Sequence, residues 1–445
     1  MKLHLISTSI AAALLASRAF GEGFQSQINA VSLTAPPLLH SLTLGPTDFA
    51  SPGATPGVAW VAGLYDIRTT LTTLQTTPLS FNGYLAVNGA VVTQFDLLGT
   101  PSNYRQGTIE TLRFLQPGDT FSVQIDSLNP VSILGNSLSM LSASVNPLSS
   151  GVQANIGGTL IFSNSPLWQS VPLGATRYAS PGMTACTVTT AGVYQLGAKL
   201  TLQPFLSNGP IQGRLVVNGV PVDSFIAPSG ASNEVTLSAL RSLQPGDTYG
   251  VEILNQSGNN LKLPNDIPHG GSNITALTAP LMSGIQSQLG SGSTVFNPAP
   301  DWQDVPFGTT DFATDGITPG TAWLNGVCDL VSTLTVEKSG SGAVQGRLLV
   351  NGAPIDNFYI DPGTTAGGTY EMALSGVRAL QPGDTYGIQI LNGSSAPITI
   401  DTGAGTLSSI SVWAVPEPAS LAIFVTLPIF LSLRRRSPRR GWEKK

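Results

Sequence analysis

The strongest constraint on the fold of this 445-residue chain is an internal repeat with a period of about 130 residues. Three short motifs recur three times in the same order: Gly-x-Gln from Gly23, Gly151 and Gly284; Asn-Gly from Asn88, Asn218 and Asn351; and Gln-Pro-Gly-Asp from Gln116, Gln244 and Gln381. Self-similarity at a fixed period indicates that one structural unit is repeated. The repeat predicts modules at residues 23–150, 151–283 and 284–414, each long enough for its own core.

Composition favours β-structure in these modules. Only 10% of the residues are charged, whereas 41% are hydrophobic, and the chain contains 49 glycines and 33 prolines. An ordinary globular protein has about 25% charged residues, so long charged helices and coiled coils are disfavoured. Abundant β-branched residues fit strands. We therefore expect an all-β body.

Alternation of side chains predicts the strands. In residues 248–253, Tyr249, Val251 and Ile253 alternate with small or charged residues, which places them on one buried face. The same alternation recurs from Phe121 and from Tyr386.

Two kinds of turn separate the predicted strands. Asn-Gly tolerates the positive φ angles of a type I′ hairpin turn, and Pro-Gly fits the central positions of a type II turn. The predicted structural turns are Asn88, Gly89, Asn218, Gly219, Asn351 and Gly352 for the first kind, and Pro117, Gly118, Pro245, Gly246, Pro382 and Gly383 for the second.

The order of these motifs resembles a known family. An aromatic strand opening at Ala62–Tyr65 and Ala191–Tyr194 precedes the Asn-Gly hairpin, and Leu-x-Pro-Gly-Asp precedes the closing strands. This pattern resembles the ten-stranded jelly roll of the complement globular head and tumour necrosis factor superfamily. In the third module Cys328 replaces the tyrosine. The resemblance implies three tandem antiparallel jelly-roll β-sandwich modules.

Members of that superfamily assemble as trimers, whereas here three modules are joined in one chain. About 20 residues separate the last strand of one module from the first core strand of the next, a length that could reach roughly 66–72 Å. One hypothesis is an intramolecular pseudo-threefold trimer, which buries apolar module faces at high effective concentration. The alternative is independent modules on linkers.

Residues 1–21 have the features of a secretory signal peptide. Lys2 supplies the positive start, Ile10–Ala16 the apolar run, and Ala19–Gly21 a small-residue cleavage site. Export by the Sec machinery and cleavage by signal peptidase are expected, with a mature chain that begins near Glu22. An uncleaved membrane anchor is the alternative, although the apolar run is shorter than a bilayer span.

The C-terminal residues 415–445 combine a motif, an apolar segment and a basic tail. The apolar residues 419–433 would span roughly 22 Å as a helix, less than the hydrocarbon core of about 30 Å. The positive-inside rule places the basic tail in the cytoplasm and the modules outside. The motif consists of Val415, Pro416, Glu417 and Pro418, and the basic stop-transfer cluster of Arg434, Arg435 and Arg436.

This C-terminal order resembles the PEP-CTERM sorting signal of Gram-negative envelope proteins. The resemblance implies recognition by an exosortase-like membrane protease and processing near Val415–Pro418. The protein would then be an inner-membrane precursor, held there transiently, and later reach the cell surface or extracellular matrix. Such families usually occur in bacteria that make extracellular polysaccharide. A permanent single-pass transmembrane helix remains the alternative.

The residues between the two ends carry no recognised catalytic signature. HExxH, GxSxG and GxGxxG are absent, and His40 and His269 are the only histidines of the predicted mature body. A zinc site or a histidine-dependent triad is therefore not expected, and no cofactor or metal is predicted. The predicted body has a net charge of about −12, which disfavours binding to nucleic acid.

Acidic residues in the repeats favour structural roles. Carboxylates that end the Pro-Gly turns are expected to bond local backbone. Two other columns change their charge between modules, so neither a shared calcium site nor a shared acid/base pair is expected in every module. The turn carboxylates are Asp119, Asp247 and Asp384, and the two variable columns are Asp48, Arg177, Asp311 and Asp66, Gln195, Asp329.

Tryptophan and cysteine are two further residue types that can serve function. Trp168 and Trp302 fall in one column where the first module has Leu39, which favours core packing over sugar stacking. Cys186 and Cys328 fall in different columns, which favours two small buried thiols over a disulfide.

The sequence as a whole predicts an exported, non-enzymatic envelope or matrix protein, structural or adhesive, that binds an extracellular polysaccharide or surface protein. A polysaccharide-active enzyme on the same scaffold and a purely structural matrix protein remain alternatives.

Overall fold

The structure is a computed structural model that describes residues 22–414 except for short gaps. The predicted signal peptide at 1–21 and the predicted sorting signal at 415–445 lie outside the described residues. The gaps are 34–38, 76–79, 99–103, 128–129, 147–148, 158, 205–208, 228–232, 264–271, 280–281, 291–293, 361–367 and 401–407.

The described part of the first module consists of β1 (Glu22–Ile28), β2 (Val31–Leu33), β3 (His40–Ser41), β4 (Leu44–Ala50), β5 (Gly63–Gln75), β6 (Ser80–Val87), β7 (Ala90–Leu98), β8 (Tyr104–Leu115), β9 (Phe121–Ser127), β10 (Val131–Ile133) and β11 (Asn136–Asn146).

The second module has the corresponding strands β12 (Ser150–Ile156), β13 (Leu160–Phe162), β14 (Gln169–Ser170), β15 (Leu173–Ala179), β16 (Gly192–Pro204), β17 (Ile211–Val217), β18 (Val220–Ala227), β19 (Asn233–Leu243), β20 (Tyr249–Asn255), β21 (Leu261–Leu263) and β22 (Asn273–Thr278).

The third module has β23 (Ser283–Leu289), β24 (Thr294–Phe296), β25 (Gln303–Asp304), β26 (Phe307–Ala313), β27 (Gly326–Lys338), β28 (Val344–Val350), β29 (Ala353–Ile360), β30 (Gly368–Leu380), β31 (Tyr386–Asn392), β32 (Ile398–Ile400) and β33 (Ser409–Ala414).

Each module folds into two antiparallel sheets with the same strand order. In the first module the inner sheet runs β4-β1-β11-β5-β8, and β10 with β2 continues it along the far end of β5. The outer sheet runs β3-β9-β6-β7. The chain passes from β5 to the outer pair β6 and β7, back to β8 and out again to β9, which is jelly-roll topology. The predicted fold class, tandem antiparallel jelly-roll sandwiches in an all-β body, is confirmed.

Burial differs between the two sheets. β27 of the inner sheet is buried at all but one of its positions, whereas β31 of the outer sheet alternates between buried and partly exposed residues. A strand that is buried along its length is covered on both faces, while alternation indicates one solvated face. The inner sheets therefore lie between the module cores and further protein. The outer sheets face solvent except along their edge strands β7, β18 and β29, which contact neighbouring modules.

The module cores contain the residues predicted from the strand alternation. Tyr249, Val251 and Ile253 are all buried in the core of the second module. In the same core the ring of Phe225 lies so close to Gly213 that a Cβ on the glycine would fall 2.2 Å from it. Glycine at this position is what allows the ring to cross β17.

Candidate functional site

The two predicted turns of each module lie side by side. Asn88 has φ 50°, Gly89 has φ 78° and Gly118 has φ 94°, so all three occupy the left-handed region. The Asn88 amide donates to Asp119 Oδ1 at 2.9 Å, and Asp119 Oδ2 accepts the Gln116 backbone N–H at 2.7 Å. These hydrogen bonds lower the pKa of the Asp119 carboxyl. The Asn-Gly and Pro-Gly motifs thus recur together because one asparagine–aspartate pair joins them.

The same pairing occurs in the other modules, where the amide-to-carboxylate distances are 2.9 Å for Asn218 to Asp247 and 3.0 Å for Asn351 to Asp384. Positive φ angles recur at Gly219, Gly246, Gly352 and Gly383. These carboxylates hold turns, as the sequence suggested.

The third residue of the Gly-x-Gln motif joins neighbouring modules. Gln153 of the second module is 1% exposed, and its Oε1 accepts the Leu112 backbone N–H at 3.3 Å and Arg113 Nη1 at 2.8 Å from the first module. A buried amide oxygen that accepts a guanidinium hydrogen bond makes a strong, directional contact. We call this arrangement the glutamine–arginine contact.

The glutamine–arginine contact recurs at both remaining interfaces. Gln286 Oε1 accepts the Leu240 backbone N–H at 3.0 Å and a hydrogen bond from Arg241 Nη1. Gln25 Oε1 accepts the Val377 backbone N–H at 3.0 Å and a hydrogen bond from Arg378 Nη1 at 2.6 Å. The second module therefore binds the first, the third binds the second, and the first binds the third. Head-to-tail contacts that close in this way form a ring. The modules adopt the pseudo-trimer of the first hypothesis and are not independent units on linkers.

The glycine of the same motif permits the close approach. A Cβ on Gly23 would lie 2.6 Å from Val377 Cγ1, and one on Gly284 would lie 2.4 Å from Leu240 Cδ2. Such distances are not tolerated, so each module needs glycine where a strand of its neighbour crosses it.

Apolar side chains fill the space beside these polar contacts. Leu240 and Met282 of the second module and its connection pack with Val331 and Trp413 of the third. Leu64, Leu112 and Leu277 join the first and second modules in the same way.

One charged cluster lies where the three modules meet. Arg68 forms an ion pair with Asp66 and lies 3.5 Å from Glu110 and 3.8 Å from Asp329 of the third module. Its guanidinium also lies 5.0 Å from the ring centroid of Trp413. Three carboxyl groups therefore share one guanidinium in a buried position.

We call this group of Arg68, Asp66, Glu110 and Asp329 the axial cluster. Burial has the largest effect on the pKa values of Asp66 and Asp329, and it raises both. Glu110 also accepts a hydrogen bond from Thr275 of the second module at 3.3 Å. The adjacent cavity, between Asp66, Asp329 and Trp413, has a volume of only about 30 Å³. Within the described ranges, no group of three or more His, Cys, Asp or Glu side chains has an arrangement suited to a metal ion.

Two more buried carboxyl groups lie at module interfaces. Asp223 Oδ2 accepts the Ser238 backbone N–H at 2.7 Å, and Asp356 Oδ2 accepts that of Ser375 at 2.7 Å. Burial raises the pKa of each aspartate to about 8, against the smaller lowering effect of these hydrogen bonds. The register places Thr93 at the equivalent position of the first module.

The outer sheets carry the other notable groups. The Arg214 guanidinium lies 4.1 Å from the ring centroid of Trp168, and Arg347 lies 4.0 Å from that of Trp302. Both tryptophans are partly exposed, and neither belongs to a buried core. The interpretation that core packing accounts for these two residues is wrong, because the column lies on the solvated face of the outer sheet.

The partners of the two arginines differ. Arg214 Nε donates to Glu252 at 2.7 Å, whereas Arg347 Nε donates to the neutral amide oxygen of Gln389 at 2.9 Å. Gln389 in turn donates to Asp304 at 2.7 Å. Each tryptophan–arginine stack is thus held in place by a hydrogen-bonded strand neighbour.

Three other tryptophans pack inside the protein. Trp60 and Trp323 contact the cores of the first and third modules, and Trp413 is buried between modules. Cys186 is half-buried and Cys328 is buried, and both are free thiols.

Sequence reasoning missed the interface arginines. Arg113, Arg241 and Arg378 each stand three residues before the glutamine of Gln-Pro-Gly-Asp. This fixed offset was a detectable signal, but its glutamine partner lies in another module, which a one-dimensional pattern does not reveal.

No protein-family model matches the chain, and no curated protein is significantly similar to it. Among solved structures it is similar to Eiger TNF from S. frugiperda, with 14% identity and a TM-score of 0.22 over 28% of this chain and 91% of that one. It is also similar to the triple jelly roll of an archaeal virus, with 11% identity and a TM-score of 0.18 over 89% and 91%. PNGF-II in the P21 space group gives 10% identity and a TM-score of 0.23 over 80% and 100%. Likeness this distant carries no argument about function.

Within the described part of the chain, no helix has the length and hydropathy needed to cross a membrane.

The glutamine–arginine contact makes a stability prediction. Replacing Gln286 by alanine leaves the buried Leu240 N–H and the Arg241 guanidinium without this acceptor. We expect the free energy of unfolding to fall by about 2–3 kcal/mol, measured by urea denaturation of the purified protein. Gln244→Ala is the matched control, because Gln244 is exposed in a turn. Equal stability of the two variants would contradict the assignment.

The buried interface carboxyls predict a pH dependence. Because the folded-state pKa values of Asp223 and Asp356 are raised to about 8, their stabilising contribution is complete below the unfolded pKa of about 4 and is lost as the pH rises towards 8. Stability should fall from pH 5 to pH 8, by at most about 1.4 kcal/mol per pH unit for each carboxyl. Urea unfolding at several pH values measures this slope.

The double variant Asp223→Thr, Asp356→Thr carries the residue of the first module and should show a shallower slope. Asp247→Thr is the control, since its exposed carboxyl has a lowered pKa and titrates below this pH window. A double variant with the parental slope would show that other groups cause the pH dependence.

Proposed function

We propose that this protein is an exported, non-enzymatic element of the cell envelope or extracellular matrix that binds an extracellular polysaccharide. The observation that carries the proposal is the pair of tryptophan–arginine stacks at equivalent, partly exposed positions of the outer sheets. Neither stack contributes to a core, so packing alone does not account for them.

The chemistry of the stacks suits a sugar polymer. The indole offers apolar surface and the guanidinium offers hydrogen-bond donors, and sugars present apolar ring faces bordered by hydroxyl groups. Hydrogen bonds to Glu252 and Gln389 hold the arginines in place before binding, which reduces the entropy lost on association.

Two equivalent sites in one ring would bind a repeating polymer with avidity. The glutamine–arginine contacts fix the second and third modules relative to each other. A polymer that reaches both stacks gains effective concentration at the second site. The first module has Leu39 in this column and contributes no tryptophan.

The buried carboxyl groups support a non-enzymatic role. A glycosidase needs two carboxyl groups on either side of an accessible sugar bond. Asp66, Glu110 and Asp329 are instead gathered around Arg68, beside a cavity of about 30 Å³ that is too small for a sugar ring.

The two ends of the sequence support export. The resemblance of residues 415–445 to PEP-CTERM signals suggests Sec-dependent export, transient residence in the inner membrane and processing by an exosortase-like protease. The body would then join the surface or matrix, where polysaccharide is at hand.

Polymer binding can be tested by retention of the purified protein on the exopolysaccharide of its own organism. The double variant Trp168→Ala, Trp302→Ala should bind at least about fivefold more weakly, because an aromatic contact contributes about 1 kcal/mol. Leu167→Ala is the control, since Leu167 is 71% exposed beside Trp168 but outside the stack. Equal retention of all variants contradicts the site, and release of new sugar ends would favour an enzyme.

Processing can be tested by mass spectrometry of the protein recovered from the cell surface or medium. We expect a C-terminus between residues 415 and 418, because sorting would separate the modules from the apolar segment. A mature chain that still contains Arg434–Arg436 would support the permanent anchor instead.

A further inference from the structure

The three module interfaces are alike in backbone geometry but differ in charge. Between the second and third modules, Asp223 and Asp311 both act electrostatically on Arg241. Between the third and first modules, Asp356 and Asp48 act in the same way on Arg378. At each of these two interfaces, one partly buried arginine faces two aspartates.

The interface between the first and second modules lacks both carboxylates. The register places Thr93 where the other modules have Asp223 and Asp356. Arg177 occupies the position of Asp48 and Asp311, as the sequence columns show. Two arginines, Arg113 and Arg177, therefore replace one arginine and two aspartates.

The two guanidinium groups converge on one oxygen atom. Arg113 Nη2 donates to the Val92 carbonyl at 3.3 Å, and Arg177 Nη1 donates to the same carbonyl at 2.8 Å. Burial and the neighbouring Arg177 lower the pKa of Arg113 to about 10. Like charges in a partly buried position repel each other strongly, so this interface is electrostatically unfavourable as it stands.

A cavity of about 20 Å³ lies at this interface, with Val92, Thr93, Gln94 and Arg177 in its wall. Gln94 is only 2% exposed, and both Nε2 and Oε1 of its amide lack a hydrogen-bond partner. An unsatisfied buried amide costs about 1–3 kcal/mol. The cavity has room for one or two species of the size of water.

Among the described residues, Lys199 and Glu110 are further charged groups close to this interface. Lys199 Nζ donates to the Gln94 backbone carbonyl at 2.9 Å, which brings a third cation to this interface. Glu110 is engaged with Arg68 and Thr275 in the axial cluster.

We propose that this cavity binds a monovalent anion of halide size, which occupies the place of the two missing carboxylates. The anion compensates the charge of Arg177, which lines the cavity and shares the Val92 carbonyl with Arg113, and it accepts a hydrogen bond from the Gln94 amide. Its size follows from the cavity volume, which is too small for a sugar acid. The ring would then close at this interface through an exchangeable ion, whereas the other two interfaces close through aspartates.

The test measures thermal unfolding of the purified full-length protein at constant ionic strength, as sodium gluconate is replaced by sodium chloride or sodium bromide. We expect a saturable rise in Tm with either halide, because a ligand that binds only the folded state stabilises it. Crystals soaked in bromide should show one anomalous peak between Arg177 and Gln94.

Two variants restore a carboxylate that another module carries at the same position. Arg177→Asp should raise Tm in gluconate and abolish the saturable halide response. Thr93→Asp should do the same above about pH 8, because burial raises the pKa of the equivalent Asp223 and Asp356 to about 8. Lys262→Asp makes the same charge change as Arg177→Asp in the short strand β21 and should keep the response.

Identical Tm values in gluconate, chloride and bromide would overturn the proposal, as would an unchanged halide response in Thr93→Asp and Arg177→Asp. If neither variant folds, the bromide-soaked parental crystal decides: a peak in the cavity supports the site, and a crystal without one refutes it.

Discussion

The hydrogen bonds of the buried glutamine in each Gly-x-Gln motif are the contacts on which the arrangement of the modules depends. Each glutamine satisfies a backbone N–H and a partly buried guanidinium of the neighbouring module. Without it, two donors at an apolar interface would lose their acceptor, at a cost greater than the bond itself contributes. The same motif supplies the glycine that lets the strands approach. A feature that first marks the start of a repeat is thus the polar centre of an interface.

Joining the three modules covalently changes what each interface can contain. In a symmetric homotrimer every substitution appears three times, so an arginine on the axis would face two copies of itself. Here Arg68 occurs only in the first module, and the second and third modules have Gly197 and Val331 at the equivalent positions. The neighbours of Arg68, Asp66 and Asp329, come from two different modules. The loss of exact repetition is what allows opposite charges to meet.

Local features were predictable from the sequence because their causes lie within a few residues. The alternation at Tyr249, Val251 and Ile253 and the positive φ angles at Asn218–Gly219 follow from side-chain size and backbone freedom. The contact between Gln25 and Arg378 joins residues more than 350 positions apart, and no pattern within one module specifies it. The column that Trp302 shares with Leu39 predicts a core position, yet a leucine also occurs on a solvated face, as Leu39 does here.

The packing of the modules determines which sheet surfaces remain exposed for the proposed binding of a polymer. The inner sheets and the edge strands β7, β18 and β29 of the outer sheets contact neighbouring modules, so the proposed polymer would meet mainly the rest of the outer sheets. There the second module neutralises Arg214 with Glu252, while the third pairs Arg347 with an uncharged glutamine. Arg214 is therefore paired directly with a carboxylate, whereas a carboxylate, Asp304, reaches Arg347 only through Gln389. Because the ring fixes the two faces relative to each other, weakening an interface would reduce avidity without altering either stack.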